Sequence, residues 1–197
     1  MNITDLFNST TVIYGEAGTG KTTLSIIKAI EHLNKNNKVI FLDTENSFPV
    51  ERFKQLANNK ISLLDNLILI KAKNFKEQQE KVKLIVDIAK KTKISLIIID
   101  TLGPHYKRLV KHNQDLANGM LNSQLRLLKE TKIPLIIANQ VYSNLDGSIK
   151  TIAENILRRY CNDFIELQKS PRKLIIKSSN KEFLFEIKNE GIHLISE

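Results

Sequence analysis

Short runs of consecutive apolar residues recur through much of the chain, and they predict buried strands. Because these runs lack alternating polar residues, they are typical of parallel strands covered on both faces. The predicted strands are Thr11–Tyr14, Val39–Leu42, Leu67–Ile70, Leu96–Asp100 and Pro134–Asn139. Between them, apolar residues at helical spacing predict the helices Lys21–Asn34, Pro49–Asn58, Asn74–Lys91 and Gln114–Lys129. Strands that alternate with helices in this way indicate an α/β fold.

The pattern changes after Cys161, where short strands follow one another with only turn residues between them. These strands are Phe164–Leu167, Lys173–Ile176, Phe183–Ile187 and Ile192–Ile195, and their spacing predicts an antiparallel meander. A short helix is expected over Thr151–Tyr160, and residues 101–112 and 142–150 are predicted to be loops. We therefore expect a single α/β domain over residues 1–197, with a mainly parallel sheet flanked by helices and a C-terminal antiparallel β extension.

Composition and charge indicate which binding partners and which cellular compartment suit this domain. The chain carries a net charge of +9 with a pI near 9.5, which suits a polyanionic partner but also serves solubility alone. Its single cysteine, Cys161, excludes an internal disulfide and is expected to be a packed core thiol. The sequence shows neither the apolar segment of a signal peptide nor a run long enough to span a bilayer. A soluble, cytoplasmic protein is the expectation.

The strongest chemical signal lies between the first predicted strand and the first predicted helix. Residues 15–22 match G-x-x-x-x-G-K-[ST], the P-loop that binds nucleotide phosphates. Its glycines let backbone N–H groups turn toward phosphate oxygens, Lys21 can reach the β- and γ-phosphates, and Thr22 can hold Mg²⁺. The predicted cofactors are ATP and Mg²⁺. The predicted contacts are Gly15, Glu16, Ala17, Gly18, Thr19, Gly20, Lys21, Thr22 and Thr23.

Polar residues at the ends of three other predicted strands complete a candidate site. Asp100 ends a branched apolar strand, the Walker B pattern, and is predicted to orient Mg²⁺ with its water. Glu45 follows another strand, where a carboxylate can activate the water that attacks the γ-phosphate, or can simply be a solvated or capping acid. Gln140 follows a third strand and can contact the γ-phosphate. With Lys21, Glu45 and Gln140 form the predicted catalytic set.

Three further segments carry a more specific resemblance. Residues 43–48 (DTENSF), followed by Glu51 and Arg52, resemble a stretch of the archaeal and eukaryotic RecA-type recombinases. Residues 139–143 (NQVYS) and 157–161 (LRRYC) look like segments of the archaeal RadB paralogues, which consist of the ATPase core alone. The resemblance runs from about Thr11 to the C-terminus. It implies a RecA-type P-loop core in which Glu45 is the catalytic carboxylate, Arg52 stacks on adenine and Gln140 senses the γ-phosphate.

The same resemblance implies partners. It points to single-stranded DNA and to a main RadA-type recombinase, with no membrane, and it leaves homo-oligomerisation open. The first DNA-binding loop of recombinases matches residues 104–113 by position, where Tyr106, Lys107, Arg108 and Lys111 are candidate contacts. An ordinary basic surface loop is the competing interpretation. The loop after Gln140 is short, and an N-terminal DNA-binding domain is not expected.

We therefore expect an ATP-binding recombinase paralogue that assists homologous recombination and DNA repair. It would hydrolyse ATP to ADP and phosphate, bind single-stranded DNA and modulate a main recombinase. The alternatives are a KaiC-like signalling ATPase and an adaptor in which ATP occupancy only shapes a protein-binding surface.

Overall fold

The computed structural model describes Ile3 and residues 9–143 and 149–195, and its centre is a nine-stranded sheet. The strand order is β11-β10-β9-β8-β1-β5-β4-β2-β3, and β6 and β7 form a separate hairpin. The strands are β1 Thr11–Gly15, β2 Lys38–Asp43, β3 Leu67–Lys71, β4 Ile94–Asp100, β5 Leu135–Asn139, β6 Val141–Ser143, β7 Ile149–Thr151, β8 Asp163–Lys169, β9 Arg172–Ile176, β10 Lys181–Lys188 and β11 Gly191–Leu194.

The parallel part of the sheet includes a strand that the sequence assigned to the C-terminal extension. From β3 to β8, all neighbouring strands pair in parallel, whereas β8, β9, β10 and β11 pair antiparallel in succession. The predicted meander is therefore confirmed. Its first strand, β8, also lies beside β1, with Thr11 opposite Asp163. Because of this pairing, the meander continues the central sheet and reaches the P-loop.

Helices cover both faces of the sheet because neighbouring residues of each strand point to opposite sides. In β1, Val12 and Tyr14 pack with the core on one face, whereas Ile13 packs with the core on the other. The helices are α1 Lys21–Asn34, α2 Val50–Leu56, α3 Phe75–Lys91, α4 Gly103–Val110, α5 Gln114–Glu130 and α6 Glu154–Leu157, and a 3₁₀ turn spans Ile61–Asn66. The first two pack on the Ile13 face, and α3, α4, α5 and α6 pack on the other.

Several helix boundaries follow from local chemistry that the sequence displays. Asn74 caps α3 by accepting a hydrogen bond from the Glu77 N–H, as its position predicted. Asn113 caps α5 in the same way through the Leu116 N–H. Cys161 is buried and free, as expected, and burial raises the pKa of its thiol to about 12. A thiol in such a setting packs as a small apolar group.

Two predicted loops and one helix need correction. The loop prediction for residues 101–112 was wrong, because α4 occupies Gly103–Val110 with Pro104 in its first turn, where a missing N–H costs nothing. Residues 142–150, also predicted as a loop, include parts of the hairpin strands β6 and β7, and residues 144–148 lie outside the described residues. The helix expected over Thr151–Tyr160 is reduced to α6, because Thr151 belongs to β7.

Candidate nucleotide-binding site

The P-loop leaves the carboxyl end of β1 and enters α1, the arrangement that the sequence motif requires. A side chain at Gly15 would collide with the carbonyl oxygen of Leu167 on β8, so only glycine fits beside that strand. Gly20 has a φ of 105°, and a Cβ there would lie 2.8 Å from Cδ1 of Ile187 on β10. Glycine is therefore required at position 15 by the backbone of β8 and at position 20 by its positive φ.

The side chain of Lys21 folds back into the P-loop. Its Nζ donates to the carbonyl oxygens of Gly15 at 2.8 Å and Glu16 at 2.7 Å. Burial lowers the pKa of Lys21, while the charges of Asp100, Glu45 and Glu16 oppose that shift. An ammonium in this position faces the concave side of the loop, so a phosphate oxygen can replace a carbonyl as its partner.

Asp100 ends β4 and is only 8% exposed, so its ionised form is poorly solvated. Burial raises its pKa to about 6, a hydrogen bond from Thr22 acts against this shift, and Glu45 adds to it. The carboxylate and the threonine hydroxyl are oxygen ligands of the kind that Mg²⁺ prefers. Among the described residues, no group of three His, Cys, Asp or Glu side chains could hold a metal. This donor set fits a Mg²⁺ completed by nucleotide phosphates and water.

Glu45 and Gln140 come from separate strand ends and meet across the site. The Gln140 side-chain amide donates to Oε1 of Glu45 at 3.2 Å. Both residues line a cavity of about 510 Å³ whose walls also include the P-loop. The cavity therefore joins four strand ends, and its lining residues are Gly15, Glu16, Ala17, Gly18, Lys21, Thr22, Glu45, Asp100, Thr101, Gln140 and Val141.

Buried polar residues behind the cavity fix these side chains in place. The Asp43 carboxylate accepts hydrogen bonds from the Glu45 N–H at 3.1 Å and the Phe48 N–H at 2.8 Å, which shapes the turn that carries Glu45. The Thr44 hydroxyl bonds to the backbone of Thr101, next to Asp100. These supporting roles were missed from the sequence. The available signals were an acid at the end of a buried strand, immediately before a turn, and the place of both residues in the 43–48 segment.

A second supporting residue, Asn139, is fully buried beside Gln140. Its side-chain amide donates to the Thr151 hydroxyl and to the Ile152 carbonyl, and its Oδ1 accepts from the Gln140 N–H. Asn139 thus ties the end of β5 to the hairpin strand β7. The sequence marked it as the last residue of a predicted strand and as the first residue of the 139–143 segment, but it did not indicate these hydrogen bonds.

Comparison with known proteins places this geometry in a family. The Rad51 family model matches residues 6–193. The chain belongs to the Rad51 family. It is 30% identical to the DNA repair and recombination protein RadB of Methanosphaera stadtmanae, over 92% of this chain and 86% of that protein. It is 31% identical to the RadB protein of Methanocaldococcus jannaschii, over 94% of this chain and 92% of that one.

A solved structure supports the same assignment. The chain superposes on the crystal structure of the RadB recombinase with a TM-score of 0.77 and 26% sequence identity, covering 95% of this chain and 91% of that one. The predicted RecA-type fold, with its parallel core and antiparallel C-terminal strands, is confirmed for this Rad51-family chain. No helix in the described part is long and apolar enough to cross a bilayer.

Arg52, the predicted adenine contact of this Rad51-family core, lies on α2 beside the turn between β10 and β11. Its guanidinium donates to the carbonyl oxygens of Lys188 at 2.7 Å and Asn189 at 3.0 Å. Neighbouring Ile187 lies against Gly20, the last residue before α1. Arg52 is therefore linked to the P-loop through the C-terminal extension, although it does not line the cavity itself. Its role at the base stays a prediction.

The four predicted DNA contacts do not share one environment. Tyr106 is 9% exposed, its hydroxyl donates to Asn118 at 2.6 Å, and its ring packs edge-on against Phe75 with centroids 5.9 Å apart. In this position the Tyr106 ring packs in the core, and its stacking on a base stays a prediction. The three cations of the set, Lys107, Arg108 and Lys111, are exposed on and just after α4.

Proposed function

We propose that this chain is an ATP-binding RecA-type protein that assists homologous recombination and DNA repair, binds single-stranded DNA and modulates a main RadA-type recombinase. The observation that carries the nucleotide part is the convergence of the P-loop, Asp100 and the Glu45–Gln140 pair on one cavity. Membership of the Rad51 family, and the RadB names of the relatives, support the recombination part.

In this proposal each side chain has a distinct task. The P-loop N–H groups and Lys21 hold the β- and γ-phosphates, while Thr22 and Asp100 hold Mg²⁺, which would neutralise charge that develops on the phosphates. Glu45 orients the attacking water and accepts its proton. Gln140 contacts the γ-phosphate, and its hydrogen bond to Glu45 reports the state of that phosphate to the carboxylate that acts on the water.

Gln140 also connects the nucleotide to the surface that would meet DNA. It is followed directly by β6, and its carbonyl accepts a hydrogen bond from the Ile152 N–H on the return side of the hairpin. A change at Gln140 can therefore move β6 and β7 together.

The cations of α4, Lys107, Arg108 and Lys111, would contact phosphates of the single strand by charge alone, and this interaction is sensitive to salt.

The test measures single-strand binding by the purified chain. A fluorescent oligonucleotide is titrated with protein at several salt concentrations, with ATP and Mg²⁺, with ADP and Mg²⁺, and without nucleotide. We expect salt-sensitive binding that is tighter with ATP. We also expect negligible strand exchange by the chain alone, and a changed rate of strand exchange by a RadA-type recombinase when the chain is added. Absence of binding at low salt with ATP present would favour a signalling ATPase or an adaptor. Efficient unaided strand exchange would overturn the assisting role.

A further inference from the structure

A second concave surface lies away from the nucleotide cavity, between the first turns of α3 and α5 and the outer side of α4. It is an open groove of about 690 Å³, and we call it the α3–α5 groove. Its apolar side chains are Phe75, Leu109, Leu116 and Met120. Leu116 is 51% exposed, so the groove leaves a large apolar side chain in water. Exposed apolar surface of this shape is typical of a binding site.

The charged side chains that line the groove are both basic. Lys76 and Arg108 line it from α3 and α4, and none of its described lining residues is acidic. Lys107 and Lys111 are exposed nearby on α4 and just beyond it. A binding partner that covers the apolar floor would bring its own charges close to these cations. Carboxylates are therefore favoured at the edges of that partner, and lysines or arginines are disfavoured.

A buried histidine lies in the wall of the same groove. His105 lines the groove and is 6% exposed. Its Nε2 bonds to the Ala72 carbonyl at 3.0 Å, and since a carbonyl can only accept, Nε2 carries the hydrogen. In the neutral ring Nδ1 is then an acceptor, and it has no partner among the described residues. This atom has almost no solvent-accessible surface, so it is part of the buried wall of the groove and is not open to a bound partner.

We propose that the α3–α5 groove binds an acidic peptide segment of another protein. One or two bulky apolar side chains of the segment contact Leu116 and Met120, and its carboxylates face Lys76 and Arg108. The adaptable side chain of Met120 suits such a pocket. This inference does not depend on ATP hydrolysis, and Arg108 is shared with the cations proposed above to contact single-stranded DNA.

The test begins with an unbiased peptide selection against the full chain. A display library of random dodecapeptides is selected on the wild-type protein and counter-selected on Leu116→Asp. The matched control is Leu84→Asp, which changes another exposed leucine, on α3 and outside the groove. Both positions are solvent-exposed, so neither change should unfold the protein, and circular dichroism verifies this. We expect enriched peptides to be net negative and to contain leucine or an aromatic residue.

One enriched peptide is then synthesised and its affinity is measured by fluorescence anisotropy. We expect binding to weaken at least about tenfold with Leu116→Asp and several-fold with Lys76→Glu. It should change less than twofold with Leu84→Asp or with Lys91→Glu, an exposed lysine at the other end of α3.

Three results would overturn the proposal. The first is a selection that enriches no sequence over the Leu116→Asp counter-selection, and the second is enrichment of peptides without net negative charge. The third is a single-stranded oligonucleotide that shifts the methyl resonances of Leu116 and Met120 while the peptide does not, because the groove would then belong to a nucleic-acid surface.

Discussion

The P-loop and α4 both follow strands of the parallel sheet, but they place their charged residues in opposite ways. In the P-loop, Lys21 is partly buried and donates hydrogen bonds to two backbone carbonyls. Beside it, Asp100 is almost fully buried and accepts a hydrogen bond from the Thr22 hydroxyl. On α4, His105 and Tyr106 turn inward, whereas Lys107 and Arg108 remain in water. Interactions of buried charges are strong and geometrically fixed, whereas those of exposed charges are weak and screened. We therefore expect large effects of mutation at the first region and graded effects at the second.

The largest effect should come from Lys21→Ala. This change removes the only P-loop cation that faces the β- and γ-phosphates, and turnover should fall on the order of 10³-fold, with much weaker ATP binding. Isothermal titration and a phosphate-release assay measure both quantities. If affinity and rate both stayed near wild type, the assignment of the nucleotide site would be wrong.

Glu45→Gln should separate binding from chemistry. The amide keeps the size of the side chain but cannot accept a proton, so turnover should fall about 10²-fold or more while ATP still binds. The same two assays apply, with Glu51→Gln on α2 as a matched exposed control. Strong residual hydrolysis would return Glu45 to the role of a solvated turn residue.

Asp100 should make nucleotide binding depend on pH. Because its pKa is about 6, protonation below that pH removes the charge that Mg²⁺ needs, so Mg²⁺-dependent ATP affinity should drop up to about tenfold per pH unit as the pH falls below 6. Asp100→Asn should abolish this dependence. A wild-type affinity that stays flat between pH 5 and 7 would contradict the assignment.

The raised pKa of Asp100 also affects the free energy of unfolding. This effect has the opposite sign to that on ATP affinity, because it stabilises the folded protein at low pH. The folded protein keeps a proton on Asp100 up to about pH 6, whereas in the unfolded chain this carboxyl has its ordinary pKa of 3.8. This contribution to stability is fully present below pH 3.8 and is lost as the pH rises through about 6. Urea unfolding of the nucleotide-free protein across this range should show the loss in wild type and a flatter profile in Asp100→Asn.

Arg52→Ala should have a smaller effect. If Arg52 lies over adenine, the loss of cation–π and stacking energy of roughly 0.5–2 kcal/mol should weaken ATP binding several-fold and leave the Mg²⁺ requirement unchanged. Replacement of ATP by inosine triphosphate in wild type and mutant helps to separate base contacts from indirect effects through the β10–β11 turn. A bound-nucleotide structure with adenine far from Arg52 would exclude the contact.

The smallest effect should come from the α4 cations. Removal of both Lys107 and Arg108 should weaken single-strand binding a few-fold and reduce the slope of log affinity against log salt by about 1.4, or roughly 0.7 per phosphate contact. The matched control replaces Lys83 and Lys91, which are exposed on α3. An equal loss of single-strand affinity in the control would show that binding depends only on net charge. The cations of α4 would then have no specific role in DNA binding.

The sequence alone determined the parts of this protein that local patterns specify. The P-loop, the carboxylate at the end of β4 and the apolar strand runs were all visible, because each depends on residue types at fixed short spacings. The meander after Cys161 was visible for the same reason. Boundaries of α1 agree with the prediction residue by residue, since a glycine precedes the helix and turn-forming residues follow it.

The sequence also predicted that the strand ends converge on one site, but only the tertiary structure decided the contacts by which these parts meet. The sequence predicted a basic loop after Asp100. In the structure, apolar contacts with α3 and α5 fold this segment into α4 and bury Tyr106. The pairing of β8 with β1, the contact of Arg52 with the β10–β11 turn and the Glu45–Gln140 hydrogen bond join residues far apart in the chain. Such contacts depend on long-range packing and desolvation, and no local pattern of residues encodes them.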